Sequence, residues 1–332
     1  MKNLKGLLIV LLSICVLLLS SGCDNSEKRI KIGILQYLEI EALSNARRGF
    51  IDGLAAVGYI NGDNIDIELL NPEKDYPTMS LQAKKLVRNS DLILAIATPA
   101  ANAILNEAKD QEKDTPILFT AVTDPVSAML IESNEFPGGN VTGTNDMNPI
   151  KEQIGLVKKL VPNAKSIGIL YTSSETNSEI QANIAKVEAE KLGLTVHIST
   201  IDTINDLQLV ASALAKKVDA IYIPTDNAIA GAMGVINEVV LQEKIPAIAG
   251  EINSVIDGGS ITYGIDYYNL GFQTAQMAIS ILRDKLKPSE IPSIGLEEFK
   301  LVINKKQLDL IGVEIPTDLL QNAILVADLI KE

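Results

Sequence analysis

The chain repeats its own pattern, and any fold has to satisfy both copies. Ile32-Gly33-Ile34-Leu35 recurs as Ile167-Gly168-Ile169-Leu170. Each copy is followed by about twenty residues of helical pattern that stop at a glycine, Gly58 or Gly193, 25 residues after the glycine of the strand. Residues 91–98 then match 219–225, and Thr115-Pro116-Ile117-Leu118-Phe119-Thr120 matches Ile245-Pro246-Ala247-Ile248-Ala249-Gly250. Two similar halves are thus offset by about 130 residues.

Within each half the apolar runs are short and rich in isoleucine, and they alternate with longer segments of 3.6-residue period. Strands that are apolar on both faces belong in parallel sheets covered by helices, and those helices supply the crossovers that parallel strands need. Each half is therefore expected to be a doubly wound α/β domain. The spacing predicts strands at 30–36, 64–69, 91–96, 116–121 and 140–144, then at 166–171, 195–200, 219–223, 246–249 and 260–263. With 332 residues, 47% of them hydrophobic, the chain is long enough to build two such cores.

Charge and motif content remove several function classes. Asp and Glu outnumber Lys and Arg by 42 to 29, a net charge of −13, so the basic face that nucleic acid demands is not expected. His197 is the only histidine, so a Ser-His-Asp or Cys-His engine, or a His-rich metal site, would rest on it alone. It falls in the second strand of the second half, away from the strand ends. The sequence holds no G-x-S-x-G elbow, H-E-x-x-H, C-x-x-C or G-x-x-x-x-G-K phosphate loop. The acidic run from Asp110 to Asp114 lacks the glycine and the ligand spacing of a calcium loop and reads as a solvated turn. No cofactor and no metal are expected.

Residues 1–23 read as a lipoprotein signal peptide outside the fold. Lys2 and Lys5 make a positive start, residues 7–19 are almost wholly apolar, and Ser20-Ser21-Gly22-Cys23 supplies small residues for cleavage. That apolar run is shorter than the roughly 20 residues a bilayer core demands. A cysteine after small residues resembles a bacterial lipobox, here with Ser20 in the usual leucine position and Leu19 one place earlier. Cys23 would be lipidated once the signal is removed, and with Cys15 cleaved away it would have no disulfide partner. Residues 24–29 would form a polar tether. Without Lys2 and Lys5 the mature chain carries 27 positive and 42 negative residues.

In a doubly wound sheet, ligands bind beyond the carboxyl ends of the strands, so the residues there become candidates. Thr98-Pro99 after the third strand, and Thr123-Asp124-Pro125 after the fourth, each place a hydroxyl at an expected N-cap and a proline just inside a helix. Helix N-termini carry free N–H groups and suit a carboxylate, although every helix also needs a cap. In the second half, residues 171–178 are polar and end in a capping-box pattern, Ser178-x-x-Gln181. Thr225-Asp226-Asn227 places a carboxylate at a strand end, where charge-assisted hydrogen bonds would favour an ammonium. Asp226 is the first choice for that role, with Asp266 and Glu39 behind it. Tyr37, Tyr171 and Tyr263 fall at or beyond strand ends, where they would wall a pocket or sit at a boundary with the hydroxyl in water. Tyr267-Tyr268 would pack near a crossing between the halves.

Several longer motifs carry a resemblance: Gly33-Ile34-Leu35-Gln36, Ala97-Thr98-Pro99-Ala100-Ala101, Phe119-Thr120-Ala121-Val122-Thr123-Asp124-Pro125, Pro137-Gly138-Gly139-Asn140-Val141-Thr142-Gly143 and Tyr263-Gly264-Ile265-Asp266-Tyr267-Tyr268-Asn269-Leu270-Gly271. Together they are similar to the substrate-binding lipoproteins of ABC importers, and more closely to the group that binds tryptophan or other aromatic amino acids. The resemblance spans roughly residues 30–330. It implies a type I periplasmic-binding fold, in which two Rossmann-like lobes with parallel sheets are joined by three crossover hinge segments. These are expected near 145–149, 263–267 and 296–301. The N-terminal lobe would comprise 30–145 plus 266–296, and the C-terminal lobe 146–263 plus 300–332.

Carried over by position, the resemblance implies that Thr98, Pro99, Ala100, Thr123 and Asp124 line one side of the cleft. Asn145, Ser174, Asn177, Ser178, Asp226 and Asn227 would line the other. The ligand carboxylate would go to the Thr98 and Thr123 ends and its amine to Asp226. The implied partners are a small zwitterionic ligand such as tryptophan, phenylalanine or tyrosine, and an ABC permease with its cytoplasmic ATPase. The membrane would be touched only through the lipid anchor, on the extracytoplasmic side. An α/β enzyme acting on a small molecule at the same cleft is the alternative.

Overall fold

In the computed structural model residues 29–330 are described, so the signal peptide, Cys23 and residues 24–28 of the tether lie outside the described residues. The first half forms β1 (Ile30–Gln36), β2 (Ile65–Leu70), β3 (Leu92–Ile96), β4 (Ile117–Val122) and β5 (Val141–Asn145). They run parallel in the order β2-β1-β3-β4-β5. The second half forms β6 (Ser166–Thr172), β7 (Thr195–Ile201), β8 (Ile221–Ile223), β9 (Ala247–Ala249) and β10 (Ile261–Gly264). Their order, β7-β6-β8-β9-β10, is the same. The internal repeat of the sequence is a repeat of topology, and all ten expected strands are present within two residues of their expected bounds.

Burial explains which runs became which strands. Every residue of β3 and β4 is buried, as two-faced apolar runs require when helices cover both sides of a sheet. β7 is an edge strand whose residues are exposed or half-buried up to the buried Ile201, and it carries His197 half-buried. The covering helices are α1 (Glu41–Ala55), α2 (Tyr76–Asn89) and α3 (Thr98–Asp110) in the first half. In the second they are α4 (Ile150–Leu160), α5 (Thr176–Lys191), α6 (Leu207–Ala215), α7 (Asn227–Ala230), α8 (Met233–Glu243) and α9 (Ile252–Ile256).

The chain passes between the sheets three times. It leaves β5 at Asn145 and enters the second lobe through α4. After β10 it returns by α10 (Tyr267–Leu282), which packs on α1 and leads to β11 (Ile294–Gly295), paired with β5 in the first sheet. Glycines allow that return. A Cβ on Gly271 would stand 1.8 Å from the Ala46 carbonyl oxygen, and one on Gly49 would stand 1.9 Å from that of Tyr268. The third passage runs from β11 to β12 (Lys300–Ile303), which joins the second sheet beside β10.

β12 departs from the all-parallel expectation, because it is antiparallel to β10. The first two crossings insert a helix, which carries the chain back to the amino ends of the strands before the next one starts. The third has none. Leaving one sheet at its cleft-facing end and entering the other at its cleft-facing end forces the strand to run the opposite way. α11 (Lys305–Ile311), α12 (Thr317–Asn322), β13 (Ile324–Leu325) and α13 (Val326–Leu329) then complete the second lobe. The two lobes bury separate hydrophobic cores, one centred on Phe50 and Phe119 and the other on Tyr222. Among the described residues no helix is long and apolar enough to cross a membrane.

Candidate functional site

Strand order reverses between β1 and β3 in one sheet and between β6 and β8 in the other, and such switch points are where open α/β sheets take ligands. Residues that follow the strands from both lobes meet there in one hollow. Ile40, Leu43 and Thr123 come from the first lobe, Asn177, Asp226 and Glu251 from the second, and Asp146 from the first crossing. The hollow measures about 10 Å³, room for about one water. Outside it lies a groove of about 470 Å³ between α2, α3 and the start of α5, walled by Tyr76, Met79, Thr98, Pro99 and Ser174. Asn177 lines both spaces. Gln181 ties the lobes together beside them, its Nε2 donating to Thr123 Oγ1 at 3.2 Å while its Oε1 accepts from the Thr225 amide at 3.2 Å.

On the first-lobe side the backbone itself is strained. Ala97 has φ 80° and ψ 154°, a region that L-residues avoid, and Ala121 has φ 55°. Both are buried, and the register of β4 on β5 shifts between Phe119 and Val122. Each such residue costs about 1–3 kcal/mol and persists only when its surroundings enforce it, a condition met most often at ligand clamps. The two distortions turn the chain just ahead of Thr98 and Thr123.

The second-lobe side is acidic. Glu175 accepts four hydrogen bonds, from the Asn227 amide at 2.9 Å, the Asn227 side chain at 2.7 Å, the Ala228 amide at 2.9 Å and the Asn177 side chain at 3.3 Å. Burial, reinforced by the charge of neighbouring Asp226, pushes its carboxyl up to about 8. Asp226 is raised by burial as well. Its Oδ1 accepts from the Ile229 amide and the Thr172 hydroxyl, both at 2.9 Å, and its Oδ2 from the Thr172 amide at 2.7 Å. Glu251 accepts from the Asn253 and Ser254 amides, and burial pushes it up to about 7. Asp146 is raised by burial too, and its Oδ2 accepts from the Tyr267 hydroxyl at 2.6 Å.

None of the described residues lining the hollow is Lys, Arg or His. Two buried oxygens there have no partner, Asp146 Oδ1 and Asn177 Oδ1. Buried acceptors are rarely left unpaired, so both mark where a donor belongs. The apolar part of the lining is made by Ile40, Ala42, Leu43, Ala121 and Ala230. Acceptors and an apolar lining, with no cation among them, suit a ligand that brings its own positive charge and an apolar body.

The site residues expected from the sequence divide accordingly. Thr123, Asn177, Asp226 and Asn227 line the hollow, while Thr98, Pro99 and Ser174 line the outer groove. Ala100 is buried within α3, Ser178 Oγ donates to the Thr225 carbonyl and accepts from Asn177 Nδ2, both at 3.4 Å, and Asn145 ends β5 beside β11. Glu39 is not brought to the hollow. Arg47 pairs with it at 3.1 Å and holds its carboxyl below the usual range. Asp266 also lies elsewhere, capping α10 and pairing with Lys300 at 2.9 Å in a separate groove beside α9.

Local structure corrects other details. Ala97, not Thr98, is the cap of α3, and Thr98 is its first helical residue. Thr123-Asp124-Pro125 starts no helix, because Asp124 closes a turn by accepting from the Val126 and Ser127 amides and the Ser127 hydroxyl. α5 starts at Thr176 after Glu175, so Ser178 and Gln181 form no capping box. Tyr37 is buried against the cleft, whereas Tyr171 and Tyr263 are half-buried against the second core. Tyr267 packs at the second crossing, and Tyr268 donates to Asp52 of α1 at 3.0 Å.

Sequence reasoning missed Asp146, Glu175, Glu251 and Tyr267. Glu251 was findable, since it follows β9 as Asp226 follows β8, with one residue between where Asp226 has two.

The profile of the ABC transporter substrate binding protein family matches residues 31–327. The chain is 41% identical over 291 residues to the tyrosine-binding protein of Clostridioides difficile (strain R20291), covering 87% of this chain and 83% of that protein. It superposes with a TM-score of 0.85 and 37% identity on the ABC domain in complex with L-Trp from Streptococcus pneumonia, over 90% of this chain and 99% of that one. On the ligand-free, open structure of a Clostridium difficile substrate-binding protein with adhesive properties the TM-score is 0.69 at 38% identity, over 89% and 98% of the two chains. Sequence, topology and strand-end cleft agree: this chain belongs to the ABC transporter substrate-binding protein family.

Proposed function

We propose that this substrate-binding component of an ABC importer captures an aromatic amino acid between its lobes and delivers it to its permease. The observation that carries the reading is the hollow itself, lined by unpaired carboxylate and amide oxygens and by aliphatic side chains. The ligand ammonium fits the acidic wall and its side chain the apolar wall. Its carboxylate fits the turn at Thr123 and the N-terminus of α3, where free amides and the helix dipole favour negative charge. The relatives named as binding tyrosine and L-Trp support the same ligand class.

Closure follows from the same geometry. A hollow of about 10 Å³ admits no amino acid, so the lobes must part for entry and close on a wider bound form. At nearly equal identity, the TM-score is 0.85 on the complex and 0.69 on the open, ligand-free relative, which supports a hinge between two arrangements. A ligand shifts that equilibrium only by its differential affinity for the two forms, and micromolar binding supplies about 8 kcal/mol in all. Outside the described residues, Cys23 would carry the lipid that holds the protein at the extracytoplasmic face of the membrane.

Thermal melting against all proteinogenic amino acids, nucleosides and sugars tests this reading. Tyrosine, tryptophan or phenylalanine is expected to raise the melting temperature, since ligand at 100 times its Kd adds about 2.7 kcal/mol. Stabilisation by a sugar or nucleoside with none by these three would overturn it.

A further inference from the structure

Much of the apolar lining of the hollow comes from the turn between β1 and α1, and what shapes that turn lies outside the hollow. Ile40 belongs to the turn, and Ala42 and Leu43 follow it in the first turn of α1. Ile40 stands at the N-cap of α1, where isoleucine is among the poorest residues because it offers no acceptor, and its side chain makes no cap bond. The cap is given up for an aliphatic group between the lobes: a Cβ on Gly231 of the second lobe would stand 3.5 Å from Ile40 Cγ2.

A side-chain network holds the turn instead. Gln36, fully buried at the end of β1, donates from Nε2 to the Leu38 carbonyl at 2.9 Å and to Glu39 Oε2 and Ser44 Oγ, both at 3.2 Å. The Ser44 hydroxyl donates to Glu39 Oε1 at 2.6 Å. Arg47 completes the network, its Nη1 donating to Gln36 Oε1 at 2.8 Å and to Glu39 Oε2 at 3.1 Å, its Nη2 to Glu39 Oε1 at 3.2 Å. A forked pair of this kind fixes direction as well as adding energy. Glu39 and Arg47 are eight residues apart, so the pair ties the turn to the flank of α1, whereas pairs that brace a helix lie three or four apart. Arg47 lines neither the hollow nor the outer groove.

We propose that Arg47 is a positioning residue for ligand specificity: through Glu39 and Gln36 it holds the turn so that Ile40 and Leu43 present a surface of fixed shape, which fits a flat aromatic ring better than a branched aliphatic chain. Without the fork the turn regains freedom and adapts to other side chains. This inference rests on the amino-acid reading above and deepens it.

The experiment measures, by calorimetric competition, the affinities of wild type, Arg47→Met and Glu39→Gln for L-tyrosine, L-tryptophan, L-phenylalanine and L-leucine. Methionine keeps an apolar stem without the fork. In Arg47→Met the preference for the best-bound aromatic amino acid over leucine is expected to fall about 10-fold, the worth of one misplaced methylene in an apolar pocket. Glu39→Gln, at a position with half its side chain exposed, is expected to lower the same preference by about 3-fold, the worth of an ordinary hydrogen bond. Hydrogen exchange of the amides at 37–43 is expected to speed up in both variants. An unchanged preference in folded Arg47→Met, whether the affinities fall together or stay, overturns the proposal and leaves the amino-acid reading standing, because a plain structural brace acts on every ligand alike. If that variant does not fold, an unchanged preference in Glu39→Gln overturns the proposal instead. A wild type that binds no aromatic amino acid overturns both.

Discussion

Glu175 and Asp226 share one hydrogen-bond network at the base of the cleft, and burial raises both. A group whose folded pKa lies above its unfolded value contributes stability below the unfolded value and loses it as pH rises through the folded one. For Glu175 that window runs from 4.5 to about 8. The ligand-free protein is therefore expected to melt at progressively lower temperature across this range, and Glu175→Gln, which mimics the protonated acid, to flatten the slope. Calorimetric melts in a pH series check this, and an unchanged slope would contradict it. An ammonium entering the hollow lowers these pKa values, so ligand binding near pH 7 is expected to release protons. Titrations in buffers of different ionisation enthalpy measure that release. Asp226→Ala is expected to lower stability without ligand by about 2 kcal/mol, the upper range for a lost N-cap, and chemical denaturation measures it.

The same residues show how far a sequence can be read. Asp226 was visible because it stands alone after an apolar run. Glu175 was hidden in the polar stretch 171–178, where capping and solvation explain every residue equally well. Asp146 was missed by one position, because which residue beyond a strand turns inward depends on how the crossing leaves the sheet.

At the scale of elements, β3 and β4 were legible because a run that is apolar on both faces has few alternatives to a central parallel strand. β11 and β13 have two residues each, too few for any period to show, and the reversed β12 follows from a crossing without a helix. The expected helix after Thr123 failed because Asp124 spends its side chain on a turn. The packing of α10 on α1 depends on backbone-to-backbone approach at Gly49 and Gly271. Gly271→Ala is expected to cost about 3 kcal/mol, the upper range for overpacking a filled interface. Denaturant unfolding checks this, and a loss below about 0.5 kcal/mol would place the variant among neutral surface changes.

Across the whole molecule, two cores of the same topology are joined by three strands of backbone, and the hollow lies where those connections and the switch points converge. Duplication explains why both walls of the cleft are strand ends, and divergence explains why one wall is strained backbone and the other buried acid. Small-angle scattering of the protein, with and without saturating L-tyrosine or L-tryptophan, tests this account most directly. A radius of gyration that contracts on binding is the predicted result. Tight binding with an unchanged radius would contradict it.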